Sequence, residues 1–122
     1  MAGNQPEKEG ASPMTINEVI RTALSIFNDP VEFEVYQGTE KIYWVFNYEA
    51  LGADYGDDQP NHERFLVQVH LFAPLNMNVV QRVKKAKKAL VSAGMTRPNE
   101  TSASNKDGRH IVLECEYAMG VD

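Results

Sequence analysis

Cysteine is all but missing from this chain of 122 residues, where Cys115 stands alone. That rules out an internal disulfide and any zinc cluster built on thiolates, and it suits a reducing cytoplasm. Because Cys115 alternates in step with Ile111, Leu113 and Tyr117, it reads as a buried, structural thiol. Long apolar runs are missing as well: none comes near the roughly 18 residues a spanning helix needs. The opening MAGNQPEKEG has neither the basic start nor the apolar middle of a signal peptide. The expectation is a cytoplasmically made protein with no membrane partner. A positive balance is also lacking, since 12 Lys and Arg against 17 Asp and Glu leave a net charge of -5. A general electrostatic grip on phosphate backbones is disfavoured, and no specific nucleic acid is expected as a partner.

Chemical motifs are equally scarce. There is no glycine-rich phosphate loop. Nucleophilic catalysis would need Ser or Cys beside a base and an orienting third group, and no such set stands out. His62, His70 and His110 fall on a loop, in mid-strand and at a strand start. With no pair at helical or metal-ligand spacing, each reads as a surface or satisfied residue. Tyr55-Gly56-Asp57-Asp58 matches the magnesium-binding turn of RNA-dependent polymerases. Its flanks are not strands, however, and the chain is too short to build such an enzyme. Asp54, Asp57 and Asp58 are left as weak candidates for Mg²⁺ or Ca²⁺, which favour carboxylate and carbonyl oxygen. Their spacing is not that of an EF-hand, and a solvated acidic loop is the favoured reading. No catalytic residue, cofactor or enzymatic activity is expected, and a metal-dependent enzyme is a distant alternative.

What the chain does have is a 43% hydrophobic content, enough for one ordinary core, arranged in segments of clear period. Residues 1–13 are too polar to offset the entropy of ordering and read as a disordered tail before a single domain over 14–122. Thr15-Ile16-Asn17-Glu18 has the form of a capping box. It opens a helix with Ile16, Val19, Ile20, Ala23 and Phe27 on one face and Asn28-Asp29-Pro30 as its stop. Strands follow at 31–36, 41–49 and 64–74, each alternating with period two. A turn at 37–40 separates the first pair and a long acidic loop, 49–63, the second. Ile42, Trp44, Phe46 and Tyr48 share one side of the middle strand, with Tyr43 and Val45 on the other.

At Pro74 the period changes from two to 3.6. Asn76 or Asn78 would cap a second helix closed by Gly94, with Val79, Val80, Val83, Ala86 and Leu90 as its inner stripe. Residues 95–109 read as a mobile polar loop and 110–119 as a last strand. The spacing thus predicts an α+β domain in α-β-β-β-α-β order: a two-layer sandwich of a mainly antiparallel four-stranded sheet and two helices. Arg82, Lys84, Lys85, Lys87 and Lys88 form a basic helix face. This face reads either as a solvated helix surface or as an interface; as an interface, its partners would be carboxylates such as Asp57, Asp58, Glu114 and Glu116 on a second copy, in a head-to-tail arrangement.

The run ERFLVQVHLFAP into NVVQRVKKAKKALVSAGM, followed by GRHIVLECEYAM, resembles the tail terminator, tail completion or minor tail proteins of long-tailed bacteriophages and prophages. The likeness is one of layout over residues 15–119. It implies a small non-catalytic virion subunit, made in the host cytoplasm, that closes into a homo-oligomeric ring, commonly a hexamer. Such a ring sits on the head-proximal end of the tail, with the tail tube protein and the head-tail connector protein as partners. Two alternatives share the size and acidity: a head-completion or neck protein, and a small cytoplasmic module that binds a ligand or peptide.

Overall fold

The computed structural model describes residues 14–53 and 62–120. Helix α1, Ile16–Leu24, starts where the capping box places it. Thr15 Oγ1 accepts from the Glu18 N–H at 3.2 Å, and Glu18 Oε1 accepts from the Thr15 N–H at 2.8 Å. Two of the helix's otherwise orphaned donors are thereby satisfied. A single 3₁₀ turn, Ser25–Phe27, closes on Asn28 in the left-handed region (φ 57°), a conformation that asparagine tolerates better than most residues. Strands β1 (Val31–Phe33), β2 (Tyr43–Ala53) and β3 (His62–Ala73) follow, then helix α2 (Val80–Ser92), β4 (Asn99–Ser102) and β5 (Arg109–Gly120).

The fold class is the expected one, α+β, with five strands in the order β1-β2-β3-β5-β4 where four were expected. The core explains the two layers. Trp44, Phe46, Val67, Val69, Leu71, Ile111, Leu113 and Cys115 alternate onto one sheet face and are buried there against Ile20 and Leu24 of α1 and Val83, Ala86 and Leu90 of α2. Burying each large apolar side chain contributes about 1.5–3 kcal/mol. Both helices therefore lie on the same side, and the opposite sheet face has no helix over it among the described residues.

Several expectations are corrected. The strand expected over 31–36 ends at Phe33, and β1 pairs with β2 in parallel, Val31 opposite Trp44. The chain reverses at Glu34, which takes a left-handed φ of 70°, while the Val35 N–H donates to the Phe33 carbonyl at 2.8 Å. Residues 34–42 thus run back as a loop instead of forming a hairpin, and Val35 is exposed. Strand β2 runs four residues further than expected, past a bulge between Ala50 and Gly52. Val80 is exposed whereas Val79, Val83, Ala86 and Leu90 are buried, so the helix phase begins one residue away from the expected stripe. Asn78 assists the start of α2 by accepting from the Val80 N–H at 3.0 Å, and Gly94 closes it at φ 107°. The polar segment 95–109 contains β4, paired antiparallel with β5 from Asn99–Glu114 to Ser102–Ile111.

Candidate functional site

Two opposed surfaces carry the functional groups. On the helix side, the turns of α2 that bury Val83, Ala86 and Leu90 turn Lys84, Lys85 and Lys88 outward, because residues three and four apart share a helix face. With Arg97 and Val91 they line a groove of about 900 Å³. Among the described residues these three lysines form no ion pair. The other two cations expected there are engaged within the chain. Lys87 Nζ lies 2.8 Å from Glu100 Oε1 of β4.

Arg82 makes a two-point contact with Asp29, Nε to Oδ2 and Nη2 to Oδ1, each at 3.1 Å. Asp29 Oδ2 also accepts from the Trp44 indole at 3.0 Å, and the Arg82 guanidinium sits 5.6 Å from the centre of the Phe27 ring. Arg82 is therefore engaged within the chain, as a clamp between α2 and the segment leaving α1. The planar guanidinium suits such a paired, stacked position better than an ammonium would.

On the open sheet face the register sets out crosswise rows. Tyr43 pairs with Phe72 and Phe72 with His110; one row along, Val45 pairs with His70 and His70 with Val112. The rings stack in sequence. Tyr36, folded back from the 34–42 loop, lies on Tyr43 at 4.4 Å between centroids, Tyr43 on Phe72 at 4.9 Å and Phe72 on His110 at 4.2 Å. Each stack contributes roughly 0.5–1.5 kcal/mol beyond area burial. Because the inner rings spend their faces on one another, this is no platform for splayed nucleobases, which need free ring faces. Beyond the aromatic row, Gln68 donates to Glu114 at 3.0 Å and Arg64 to Glu116 at 3.3 Å. Glu32 and Glu49 share the same face by register with Val45 and Leu66.

His70 and His110 come together here, contrary to the reading of isolated histidines. His70 Nδ1 lies 2.8 Å from His110 Nε2, and His70 Nε2 lies 3.3 Å from the Asn47 side-chain nitrogen. Burial lowers the pKa of His70 below 6.5 and the neighbouring His110 charge adds to the effect; burial alone lowers His110. Forty residues separate the two in sequence, so spacing is silent about them. The usable signal is that both belong to the polar alternation of neighbouring antiparallel strands.

At the end of the aromatic row Lys41, Tyr43, Phe72, Leu75, Arg109 and His110 border a cleft of about 570 Å³. Arg109 Nε donates to the Met77 carbonyl at 2.7 Å, tying β5 to the segment entering α2. Cys115 is buried, 3.6 Å from Met95 Sδ. Burial and then the Glu114 charge push its thiol up to about 11, and a thiol so placed is not a nucleophile. Asp54, Asp57 and Asp58 lie outside the described residues. Among the described residues no three His, Cys, Asp or Glu side chains gather around a common point, and no helix is long and apolar enough to cross a membrane.

No family model matches the chain, and no curated protein does. Solved structures do share the fold. One, whose name describes no function, aligns with a TM-score of 0.59 at 12% identity, over 90% of this chain and 98% of its own. At that identity the likeness is one of fold.

Proposed function

We propose that this chain is a structural subunit that closes head to tail into a ring of the tail terminator or tail completion kind, with the tail tube protein and the head-tail connector protein as its partners. The observation that carries the reading is the separation of charge between the two layers. Lys84, Lys85, Lys88 and Arg97 lie on the helix side, while Glu32, Glu49, Glu114 and Glu116 lie on the open sheet face. Two different, complementary surfaces on one chain are what a heterologous, ring-forming contact needs, whereas a two-fold dimer needs one self-complementary patch. Among the described residues Lys84, Lys85 and Lys88 form no ion pair and carry the basic side of the contact; on the acidic side Glu32 and Glu116 have exposed intrachain partners, Arg21 and Arg64, from which a neighbour's lysines would have to win them.

Light scattering after size exclusion tests this with two variants, one with Lys84, Lys85 and Lys88 changed to Glu, the other with Glu32, Glu49 and Glu116 changed to Lys. Each alone is expected to stay monomeric. Mixed, they present acidic helices to basic sheets and basic helices to acidic sheets, so rings of an even number of subunits should return. Rings formed by either variant alone, or a mixture that stays monomeric while the parent assembles, would refute the pairing. The cleft bordered by Lys41 and Arg109 supports the second reading, a module for a small anionic ligand, since its volume is that of ordinary ligand pockets. A parent chain that is monomeric at every concentration would favour it.

A further inference from the structure

We infer that His70 and His110 together form a site for one transition-metal cation of the kind that prefers imidazole, such as Zn²⁺, Ni²⁺ or Cu²⁺. The geometry is close to what such an ion requires. Zinc sits about 2.0–2.1 Å from an imidazole nitrogen, so two nitrogens in a tetrahedral shell lie about 3.3 Å apart. His70 Nδ1 and His110 Nε2 already face each other at 2.8 Å. Moving the nitrogens apart by about half an ångström and swinging each ring by roughly 35°, so that the two lone pairs converge beside the line between the nitrogens instead of facing along it, admits the ion at tetrahedral geometry.

Both rings are positioned near that arrangement before any ion arrives. His110 stacks on Phe72 with an interplanar angle of 22°, and His70 is braced by Asn47; the strands beneath fix both backbones through a continuous antiparallel register. Neither ring is fully buried, so an ion can reach them from solvent.

The proton balance is simple. In the metal-free pair Asn47 donates to His70 Nε2, so the His70 proton rests on Nδ1 and points at the His110 Nε2 lone pair. When the ion takes the lone pairs of His70 Nδ1 and His110 Nε2, the His70 proton moves to Nε2. Asn47, its amide turned by half a rotation, then accepts a hydrogen bond from His70 Nε2–H through Oδ1, the second-shell contact that ligating histidines commonly make. No bond to carbon changes, no redox step occurs and no net proton is released. The neutral imidazole is the form that ligates, so binding should weaken as pH falls. With no third protein ligand among the described residues, water fills the remaining positions. Mg²⁺ and Ca²⁺, which want oxygen, are excluded by the donor set. Both ligands come from one chain, so the isolated subunit holds the site complete; a neighbour seated on this sheet face would cover it, and the variant with Lys84, Lys85 and Lys88 changed to Glu, expected to stay monomeric, leaves it open for the titration.

The test is a titration of the full chain with zinc chloride near neutral pH, followed by the nitrogen resonances of the histidine rings, with magnesium chloride as the control. Both rings should shift together and saturate at one equivalent of zinc, with no response to magnesium. His70→Gln and His110→Gln should each abolish the shift, His62→Gln should retain it, and Asn47→Leu should weaken binding roughly ten-fold or more. Circular dichroism confirms that the variants fold. A response confined to one ring, saturable binding that survives His110→Gln, or silence toward zinc would overturn the site. An Asn47→Leu variant of unchanged affinity would overturn ligation through His70 Nδ1.

Discussion

Replacing Asp29 by alanine should unfasten α2 from the rest of the domain. The carboxylate serves three donors at once, two on Arg82 and one on the Trp44 indole, and its side chain is only 10% exposed against 25% for Arg82. Losing a charged acceptor leaves the indole N–H unpaired inside the core, which costs about 1.5–3 kcal/mol. The stranded guanidinium adds less than the 3–5 kcal/mol of a fully buried pair, because a quarter of it can recover water and the Phe27 ring still lies beneath it. The sum is about 3 kcal/mol, a large fraction of the 5–15 kcal/mol that typically holds a domain together.

Urea unfolding followed by the fluorescence of Trp44, the single tryptophan, reads this directly. Asp29→Asn, which keeps one carbonyl acceptor, should lose about half as much. A double-mutant cycle with Arg82→Ala should show a coupling of about 1–2 kcal/mol. An Asp29→Ala variant within about 0.5 kcal/mol of the parent, the range of an ordinary surface change, would refute the clamp and return Arg82 to the pool of free interface cations.

Two further outcomes are expected. Cys115, buried and with its thiol pushed up to about 11, should react with a thiol reagent in the native state only as fast as the domain opens, and at once in denaturant; rapid native labelling would contradict its placement. Stability should also fall as pH drops below about 6.5. The unfolded histidines take up protons there before the native His70 and His110 do, so the stabilisation is present above the unfolded value and is lost as pH falls toward the native ones. Denaturant titrations at a series of pH values should show a flatter slope in the His70→Gln, His110→Gln double variant, and equal slopes would dismiss the effect.

Local signals in the sequence were reliable where the physics is local. The Thr15–Glu18 box closes within one helical turn, and Gly94 ends α2 because a left-handed residue is needed there. Periodicity placed Trp44, Phe46, Val67, Val69 and Leu71 on one buried face. It failed at β4, since Asn-Glu-Thr-Ser has no apolar residue and all four are exposed; only backbone pairing with β5 makes it a strand. It misplaced Val80 because the three valines at the helix entry, Val79, Val80 and Val83, fit two neighbouring phases. The parallel β1 was hidden by Gln37-Gly38, which looks like a hairpin turn although the reversal begins at Glu34. At the site, charge alone could not tell a free lysine from an engaged arginine, and the Asp29 partner of Arg82 lies 53 residues away. The histidine pair needed the β3–β5 register.

The opposite charges of the two layers also have a kinetic side. At physiological ionic strength fields between exposed charges fade over about 8 Å, so a copy or partner feels the lysines of α2 only when it is a few water layers away. Added salt should then slow arrival at this surface far more than it hastens departure, because charge at a rim governs association while tight packing governs dissociation. An assembly that forms slowly in high salt yet persists once formed would bear the mark of that asymmetry.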